Sequence, residues 1–245
     1  MERLPLSSDL VDTILSFIKV DSSSRRYERK FKLYLGQSLV VESELRQLGF
    51  YEAFKPREVS SIYFDNEKFS FAKHNIDGER YRLKPRLRWY GDNYCAAKLE
   101  LKFRDGFNGY KNVYSDFGFL GTAQSLSKSI RKISIFLNKF QSLKNLRPSS
   151  KVTYQRRYFL HPSGIRATID THIYVESISS DMHQSKNQLP LGFEVLEIKY
   201  TAENDNYVRE YIYPHFIYLS MRLTKCSKYV ESILTLSNNI QYNNN

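Results

Sequence analysis

Basic and apolar residues alternate along several segments of this sequence, most regularly between residues 80 and 89. The segment reads RYRLKPRLRW, so every even position is Arg or Lys and every odd position is aromatic, aliphatic or proline. Successive side chains of a β-strand point to opposite faces of the sheet. The segment is therefore predicted to be a strand with one cationic face and one apolar face.

The same period of two recurs through most of the chain and predicts the secondary structure. Strands are predicted at Arg26–Leu33, Ser60–Phe64, Arg80–Tyr90, Tyr94–Arg104, Lys151–Leu160, Ile165–Tyr174 and Gly192–Tyr200. Helices are predicted in the first twenty residues and at Ser38–Leu48, Ser125–Leu143, Asn204–Tyr213 and Ser227–Leu236. Many antiparallel strands with few helices favour an α+β fold whose sheet is closed or nearly closed, with the helices packed outside.

The net charge indicates what the cationic faces are for. Lys and Arg number 37 against 26 acidic residues, a formal net charge of +11. Neighbouring cations on one strand face are roughly 7 Å apart, within the Debye length, so they repel one another. A solvated face is the ordinary explanation for one such strand, but several rows of cations favour an anionic partner: nucleic acid, phospholipid headgroups or phosphorylated small molecules. We therefore expect the charged faces to turn inward and line a cationic lumen.

Domain organisation and location follow from composition. We expect one domain at residues 25–237, preceded by a helix and linker at 1–24 and followed by a disordered tail at 238–245. No uncharged apolar run reaches eighteen residues, and the N-terminus lacks the pattern of a secretory signal. The two cysteines, Cys95 and Cys226, are too few for a disulfide framework. The sequence is predicted to be cytoplasmic.

Several common functional motifs are absent from the sequence. There is no P-loop, no G-x-G-x-x-G, no G-x-S-x-G and no zinc-ligand spacing among the five histidines. No motif of sequence-specific nucleic-acid binding is found. The basic helix at residues 127–144 would ordinarily be a solvated face, and contact with a membrane surface or a polyanion is the alternative.

A series of short motifs resembles the VTC domain, the polyphosphate polymerase module of the vacuolar transporter chaperone family, within the triphosphate tunnel metalloenzyme (CYTH-like) superfamily. The motifs are RYERKF (26–31), SIYFDN (61–66), RLRWYG (86–91), LELK (99–102), YQRRYF (154–159), RATID (166–170), LEIKY (196–200) and SKY (227–229). They extend through most of the chain.

The resemblance implies a closed antiparallel β-barrel of about eight strands that forms a tunnel. It implies transfer of the ATP γ-phosphoryl group to a polyphosphate chain, release of ADP, and dependence on Mn²⁺ or Mg²⁺. A triphosphatase of the same fold and a non-catalytic polyphosphate-binding module are the alternatives. The chain has no SPX domain or membrane segment of the eukaryotic subunits, so export of the product would need a membrane partner protein. The oligomeric state stays open.

The resemblance also assigns site residues. Those expected to clamp phosphate and to be catalytic are Lys30, Arg86, Arg88, Lys102, Arg156 and Arg166. Further phosphate or ATP contacts are expected at Arg82, Lys84, Tyr154, Lys199, Lys225, Ser227 and Lys228. Arginine forks and lysine ammonium groups are the side chains that bind phosphate oxygens.

Carboxylates among these cations are candidate metal ligands. The resemblance assigns this role, and a catalytic one, to Glu197, because hard divalent cations prefer oxygen. Without the resemblance, a salt bridge from Glu197 to Lys199 or Arg166 is almost equally favoured. Glu28, Glu100 and Asp170 are salt-bridge partners first and metal ligands second. Where other branches of the superfamily open with Glu-x-Glu-x-Lys, this chain has Arg26, Glu28 and Lys30, which favours the polymerase branch.

Overall fold

The structure, a computed structural model, describes residues 26–106, 108–115, 117, 123–178 and 187–243. Nine strands are present in these ranges: β1 Arg26–Leu33, β2 Tyr51–Asp65, β3 Tyr81–Tyr90, β4 Lys98–Asp105, β5 Asn108–Tyr114, β6 Arg147–Leu160, β7 Arg166–Ser177, β8 Leu189–Pro190 and β9 Glu194–Thr201. The α-helices are α1 Gln37–Gln47, α2 Ser70–Ile76, α3 Ala123–Leu137, α4 Asp205–Tyr207, α5 Tyr213–Tyr218 and α6 Lys228–Asn243. A π-helical turn, Val208–Ile212, joins α4 to α5, and short 3₁₀ turns lie at Tyr94–Ala96, Gln141–Leu143 and Ala202–Asn204.

Most of the predicted elements are confirmed, including β1 with identical bounds. The sequence missed β5, because NGYKNVY carries turn-forming Asn and Gly and lacks a clear alternation. It also missed the short helix α2 and the first half of β2, which contains Pro56 and several charges. The helix predicted in the first twenty residues lies outside the described ranges.

The prediction of a closed barrel is wrong. Hydrogen bonding orders the strands β1-β9-β7-β6-β2-β3-β4-β5, with β8 beside β7. Within the described residues, β1 and β5 are therefore the two edge strands, and they do not pair with each other. The free side of β1 is partly covered by its own unit. Phe31 forms a bridge with Leu223, and the Thr224 amide donates to the Lys30 carbonyl at 2.9 Å. These bonds occupy part of the backbone edge that a closing strand would need.

The described residues divide into two compact units, to which β2, β6 and β7 each contribute a part. The first unit contains described residues of 60–151 and 176–178, and the second contains 26–59, 152–175 and 187–243. Among the described helices, none combines the length and apolar character needed to cross a bilayer.

Each unit buries the apolar face that the alternation predicted. In the first, odd-numbered residues of β3 and β4, such as Leu87 and Leu101, pack with Ile130, Ile133 and Leu137 of α3. In the second, the apolar faces of β1, β7 and β9 pack with α1 and with the helical segment before residue 219. Helices therefore cover the apolar faces, and the even positions of β3 and β4 lie on the opposite side of their strands.

Candidate functional site

The first unit has a cationic face formed by β3, β4 and β5. Cross-strand neighbours on this face carry the same charge in three rows. Arg82 lies opposite Arg104, Lys84 lies opposite Lys102, and Arg88 lies opposite Lys98. In the middle row, β5 adds Lys111 on the other side of Lys102, so three lysines cross three strands. Like charges directly opposite each other destabilise a sheet.

The β3–β4 register also pairs two opposite charges, Arg86 and Glu100. The Arg86 guanidinium donates from Nε and Nη2 to Glu100 Oε2 at 2.7 and 2.5 Å, and both residues are buried. Lys111 Nζ is 3.6 Å from Glu100 Oε1. Burial raises the pKa of Glu100, but the charges of Arg86, Arg88 and Lys111 outweigh it and lower the pKa to about 2. Glu100 therefore forms an ion pair with Arg86, which is the role that the sequence analysis ranked before metal binding.

Two other arginines of this face contact uncharged oxygens. Arg88 Nε donates to Ser61 Oγ at 3.2 Å, and Arg82 Nη2 donates to the Gly106 carbonyl at 3.3 Å. Burial, followed by the charge of Arg104, lowers the pKa of Arg82. The repulsion expected from the register therefore acts on a specific pair of side chains.

The second unit has a different charged face, in which opposite charges alternate. Glu28 lies opposite Lys199 and Lys30 opposite Glu197 in the β1–β9 register. Lys30 Nζ is 2.9 Å from Glu28 and 3.5 Å from Glu197, and Lys199 Nζ is 2.5 Å from Glu197. The four side chains form a ring of two carboxylates and two ammonium groups.

The lysines keep both carboxylates of this ring ionised. Burial and the Glu197 charge raise the pKa of Glu28, but Lys30 and Lys199 outweigh both and lower it to about 2. Burial likewise raises the pKa of Glu197, yet Lys30, Lys199 and Arg156 hold it well below the usual range. Glu197 is therefore a buried anion at neutral pH.

Asp170 organises the other half of this face. Its carboxylate is completely buried and accepts hydrogen bonds from Arg156 Nε and Nη2 at 2.6 and 2.7 Å and from Lys228 Nζ at 2.5 Å. Both cations also lie over the ring of Tyr154, at 5.2 and 4.8 Å from its centroid. Burial raises the pKa of Asp170, but the two cations lower it overall.

The structure distributes the predicted site residues between the two units. Brought together in the second unit are Lys30, Tyr154, Arg156, Glu197, Lys199 and Lys228. Located on the cationic face of the first are Arg82, Lys84, Arg86, Arg88 and Lys102. Arg166 and Lys225 are exposed, and Arg166 ends the row that contains Lys199. The Ser227 hydroxyl accepts from the Val230 amide at 3.4 Å, at the start of α6.

Three features of these faces were not predicted from the sequence. The alternation of β4 already placed Lys98 and Arg104 beside the assigned residues, but Lys111 could not be found without predicting β5. Asp170 was placed among the salt-bridge residues, yet its two partners, on β6 and α6, are far away in sequence.

The ring in the second unit contains ligands suited to a divalent metal. Glu28 and Glu197 are ionised oxygen donors, the chemistry that Mg²⁺ and Mn²⁺ prefer. Thr168 lies opposite Glu197, and its buried Oγ1 has no hydrogen-bond partner in the described part of the chain. No group of three or more His, Cys, Asp or Glu side chains converges among the described residues. Within the described residues, the ring can thus supply two carboxylate ligands to a metal.

Comparisons with known proteins identify the family and the fold of the chain. A family model of the VTC domain matches residues 13–237. HpAC1 from Hippeastrum, described as an adenylyl cyclase candidate with a dominant triphosphatase activity, is 14% identical with a TM-score of 0.50, over 84% of this chain and 93% of that one. PH1819 from Pyrococcus horikoshii OT3 is 14% identical with a TM-score of 0.48, over 86% and 98% of the two chains. No curated protein matches the sequence significantly. At this identity, the likeness to HpAC1 supports a shared fold.

Proposed function

This chain belongs to the VTC domain family, and from that premise we propose that it is a metal-dependent polyphosphate polymerase. It transfers the γ-phosphoryl group of ATP to the end of a polyphosphate chain. A terminal oxygen of the chain forms a bond to the γ-phosphorus, the bond from that phosphorus to the β,γ-bridging oxygen breaks, and ADP leaves with the bonding electrons.

The cationic face of the first unit carries the proposal. Its like-charged rows, above all Lys84, Lys102 and Lys111, repel one another across neighbouring strands. A triphosphate lying on this face would replace that repulsion by attraction, with Arg86 and Arg88 supplying forked donors to phosphate oxygens. A polyanion is therefore the ligand that this face favours most.

The second unit supplies anchored cations of a different kind. Asp170 fixes Arg156 and Lys228 against Tyr154, so these donors lose little side-chain entropy when they bind phosphate. Phosphoryl transfer requires in-line positioning and neutralisation of negative charge more than a strong base. Lys30, Arg156 and Lys228 would orient phosphate groups in this way.

The metal would be held by Glu197, with Glu28 as the second carboxylate. When bound, Mn²⁺ or Mg²⁺ would supply positive charge that offsets the negative charge of the phosphate groups. Lys30 and Lys199 contact the same two carboxylates, so they keep these carboxylates ionised and oriented. Glu100 accepts two hydrogen bonds from Arg86, so we propose an ion-pair role for it before that of a metal ligand.

Two further proposals concern the reaction's setting. The use of ATP fits a cytoplasmic protein, and export of the polyphosphate would require a membrane partner protein. Arg26 stands where the hydrolytic branches of the superfamily have a first glutamate, which favours transfer to a phosphate chain over transfer to water.

The decisive experiment incubates the purified protein with ATP and MnCl₂ or MgCl₂ and follows the products. Long phosphate polymer together with ADP supports the proposal. Release of monophosphate without polymer indicates a triphosphatase, and tight binding of tripolyphosphate without turnover indicates a binding module. Either of these two results contradicts polymerase activity.

A substitution at the metal site tests the role of Glu197. Glu197→Gln should abolish turnover while tripolyphosphate affinity, measured by calorimetry, stays largely intact, because the change removes a metal ligand and no cation. The matched control is Glu203→Gln, an exposed residue just after β9. Loss of tripolyphosphate binding with preserved metal dependence would show that Glu197 acts otherwise.

A further inference from the structure

Helix α3 of the first unit carries a cationic stripe along its exposed side. Lys128, Arg131, Lys132 and Ile135 are spaced three, four and seven residues apart, so they lie on one face of the helix. All four are exposed, and Ile135 retains 65% of its accessible surface. Exposed Lys139 lies two residues after the helix end. We call Lys128, Arg131, Lys132, Ile135 and Lys139 the α3 stripe.

The α3 stripe is separate from the proposed phosphate-binding face. The inner side of α3 places Ile130, Ile133 and Leu137 against the apolar face of β3 and β4. The cationic rows occupy the opposite face of the same strands. The stripe therefore lies on the outer side of the helix, with the helix and the sheet between it and the rows.

Charge along this part of the chain is entirely of one sign. The sequence contains no Asp or Glu between Phe117 and Ile169. No ion pair found within the described ranges involves the basic residues of the α3 stripe. Like charges three and four residues apart destabilise a helix slightly in water. An anionic surface against the stripe would reverse the sign of that contribution.

We propose that the α3 stripe docks the protein on an anionic membrane surface. Ile135 distinguishes this partner from an inorganic polyanion. A polyphosphate chain offers nothing to an exposed aliphatic side chain, whereas the boundary between headgroups and acyl chains accommodates one that is flanked by cations. Each basic residue near an anionic bilayer strengthens binding about fivefold, so four of them suffice for reversible attachment.

The test measures cosedimentation of the full chain with vesicles of phosphatidylcholine alone or with about 30% phosphatidylserine. Wild-type protein should bind the anionic vesicles and lose binding as salt is raised. The variant K128Q/R131Q/K132Q/K139Q should lose at least about 50-fold of this partitioning. Ile135→Asn should reduce it severalfold without changing the net charge, and neither variant should alter tripolyphosphate affinity.

A matched control separates the α3 stripe from the overall positive charge. The control variant K55Q/K68Q/K73Q/R222Q also replaces three lysines and one arginine, at exposed positions outside the α3 stripe. It should bind vesicles like wild type. Equal loss in both quadruple variants overturns the proposal, as does absence of wild-type binding to anionic vesicles. Loss of polyphosphate affinity in the stripe variant, with vesicle binding unchanged, assigns the stripe to a polyanion instead.

Discussion

The charged faces of the two units differ in how charges are paired across neighbouring strands. Among the described residues that β3, β4 and β5 pair on the cationic face of the first unit, Glu100 is the one carboxylate. The basic residues there are Arg82, Lys84, Arg86, Arg88, Lys98, Lys102, Arg104 and Lys111. On the second unit's face, each cation of the β1–β9 ring lies opposite a carboxylate, and Asp170 serves two more cations.

This difference predicts which face would gain more electrostatic free energy from a bound anion. In the second unit, opposite charges form ion pairs in the free protein. These ion pairs fix the positions of the charged side chains. Like charges in the first unit lower the stability of the free protein and would be relieved by bound phosphate. Substitutions of the same type should therefore have different effects in the two units.

The largest effect on stability is expected at Asp170. Asp170→Asn leaves the partly buried Arg156 and Lys228 without the buried carboxylate that both contact, and breaking a buried ion pair costs about 3–5 kcal/mol of unfolding free energy. Urea denaturation followed by circular dichroism measures the change. Tripolyphosphate should restore part of the loss, because phosphate oxygens can accept the same hydrogen bonds.

The control for Asp170 is Asp170→Glu, which keeps the charge and should recover part of the stability. A loss of less than about 1 kcal/mol in Asp170→Asn would mean that Glu197 alone compensates the two cations. In that case Asp170 would not organise this face.

The next effect concerns binding by the first unit. Arg86→Ala or Arg88→Ala should weaken tripolyphosphate binding by about 1.5–3 kcal/mol, the range for a hydrogen bond to a charged group. Titration calorimetry at a temperature where the variants remain folded measures it. Wild-type affinity in both variants would remove these two arginines from the site. Arg88→Ala is the cleaner variant, because Arg86 also holds Glu100.

Both faces could be predicted from the sequence because alternation acts within a single strand. The parity of β1, β3, β4 and β9 correctly placed their charged residues opposite their apolar ones, with Lys30 and Glu197 on charged faces. The pairing of strands could not be obtained in this way, since alternation carries no information on neighbours. The closed barrel was wrong for that reason: residues 223 and 224 occupy part of the edge of β1.

The same limit explains the charge pairing within the faces. The sequence predicted rows of cations, but register decides whether a lysine lies opposite a glutamate, as Lys30 does, or opposite another lysine, as Lys84 does. The two cations bound by Asp170 come from β6 and from α6, and only tertiary structure brings them together.

A third prediction uses pH to test the isolated carboxylate of the first unit. The pKa of Glu100 is lowered from its ordinary value of 4.5 to about 2. A carboxyl group with a lower pKa in the folded state stabilises the protein above its unfolded pKa and loses this contribution as pH falls toward the folded one. Glu100→Gln should therefore destabilise the protein by about 2 kcal/mol at pH 7.

The difference between wild type and Glu100→Gln should shrink between pH 4.5 and 2, in urea denaturation at stepwise lower pH. Glu203→Gln, with its exposed side chain, serves as the control. A difference that stays constant over this range would mean that the carboxylate charge of Glu100 contributes nothing, and that only its shape matters.

The smallest effect compares one substitution in both units. Lys98 lies opposite Arg88, whereas Lys199 lies opposite Glu28 and contacts Glu197 at 2.5 Å. Lys98→Gln should raise the unfolding free energy by a few tenths of a kcal/mol, because it removes a like-charge neighbour. Lys199→Gln should lower it by about 1 kcal/mol, because it removes one of the three cations that keep the buried Glu197 ionised. Added salt should reduce the gain at Lys98 more than the loss at Lys199, since screening acts most on exposed charges. If both substitutions shift the urea midpoint in the same direction, cross-strand charge does not distinguish the two faces.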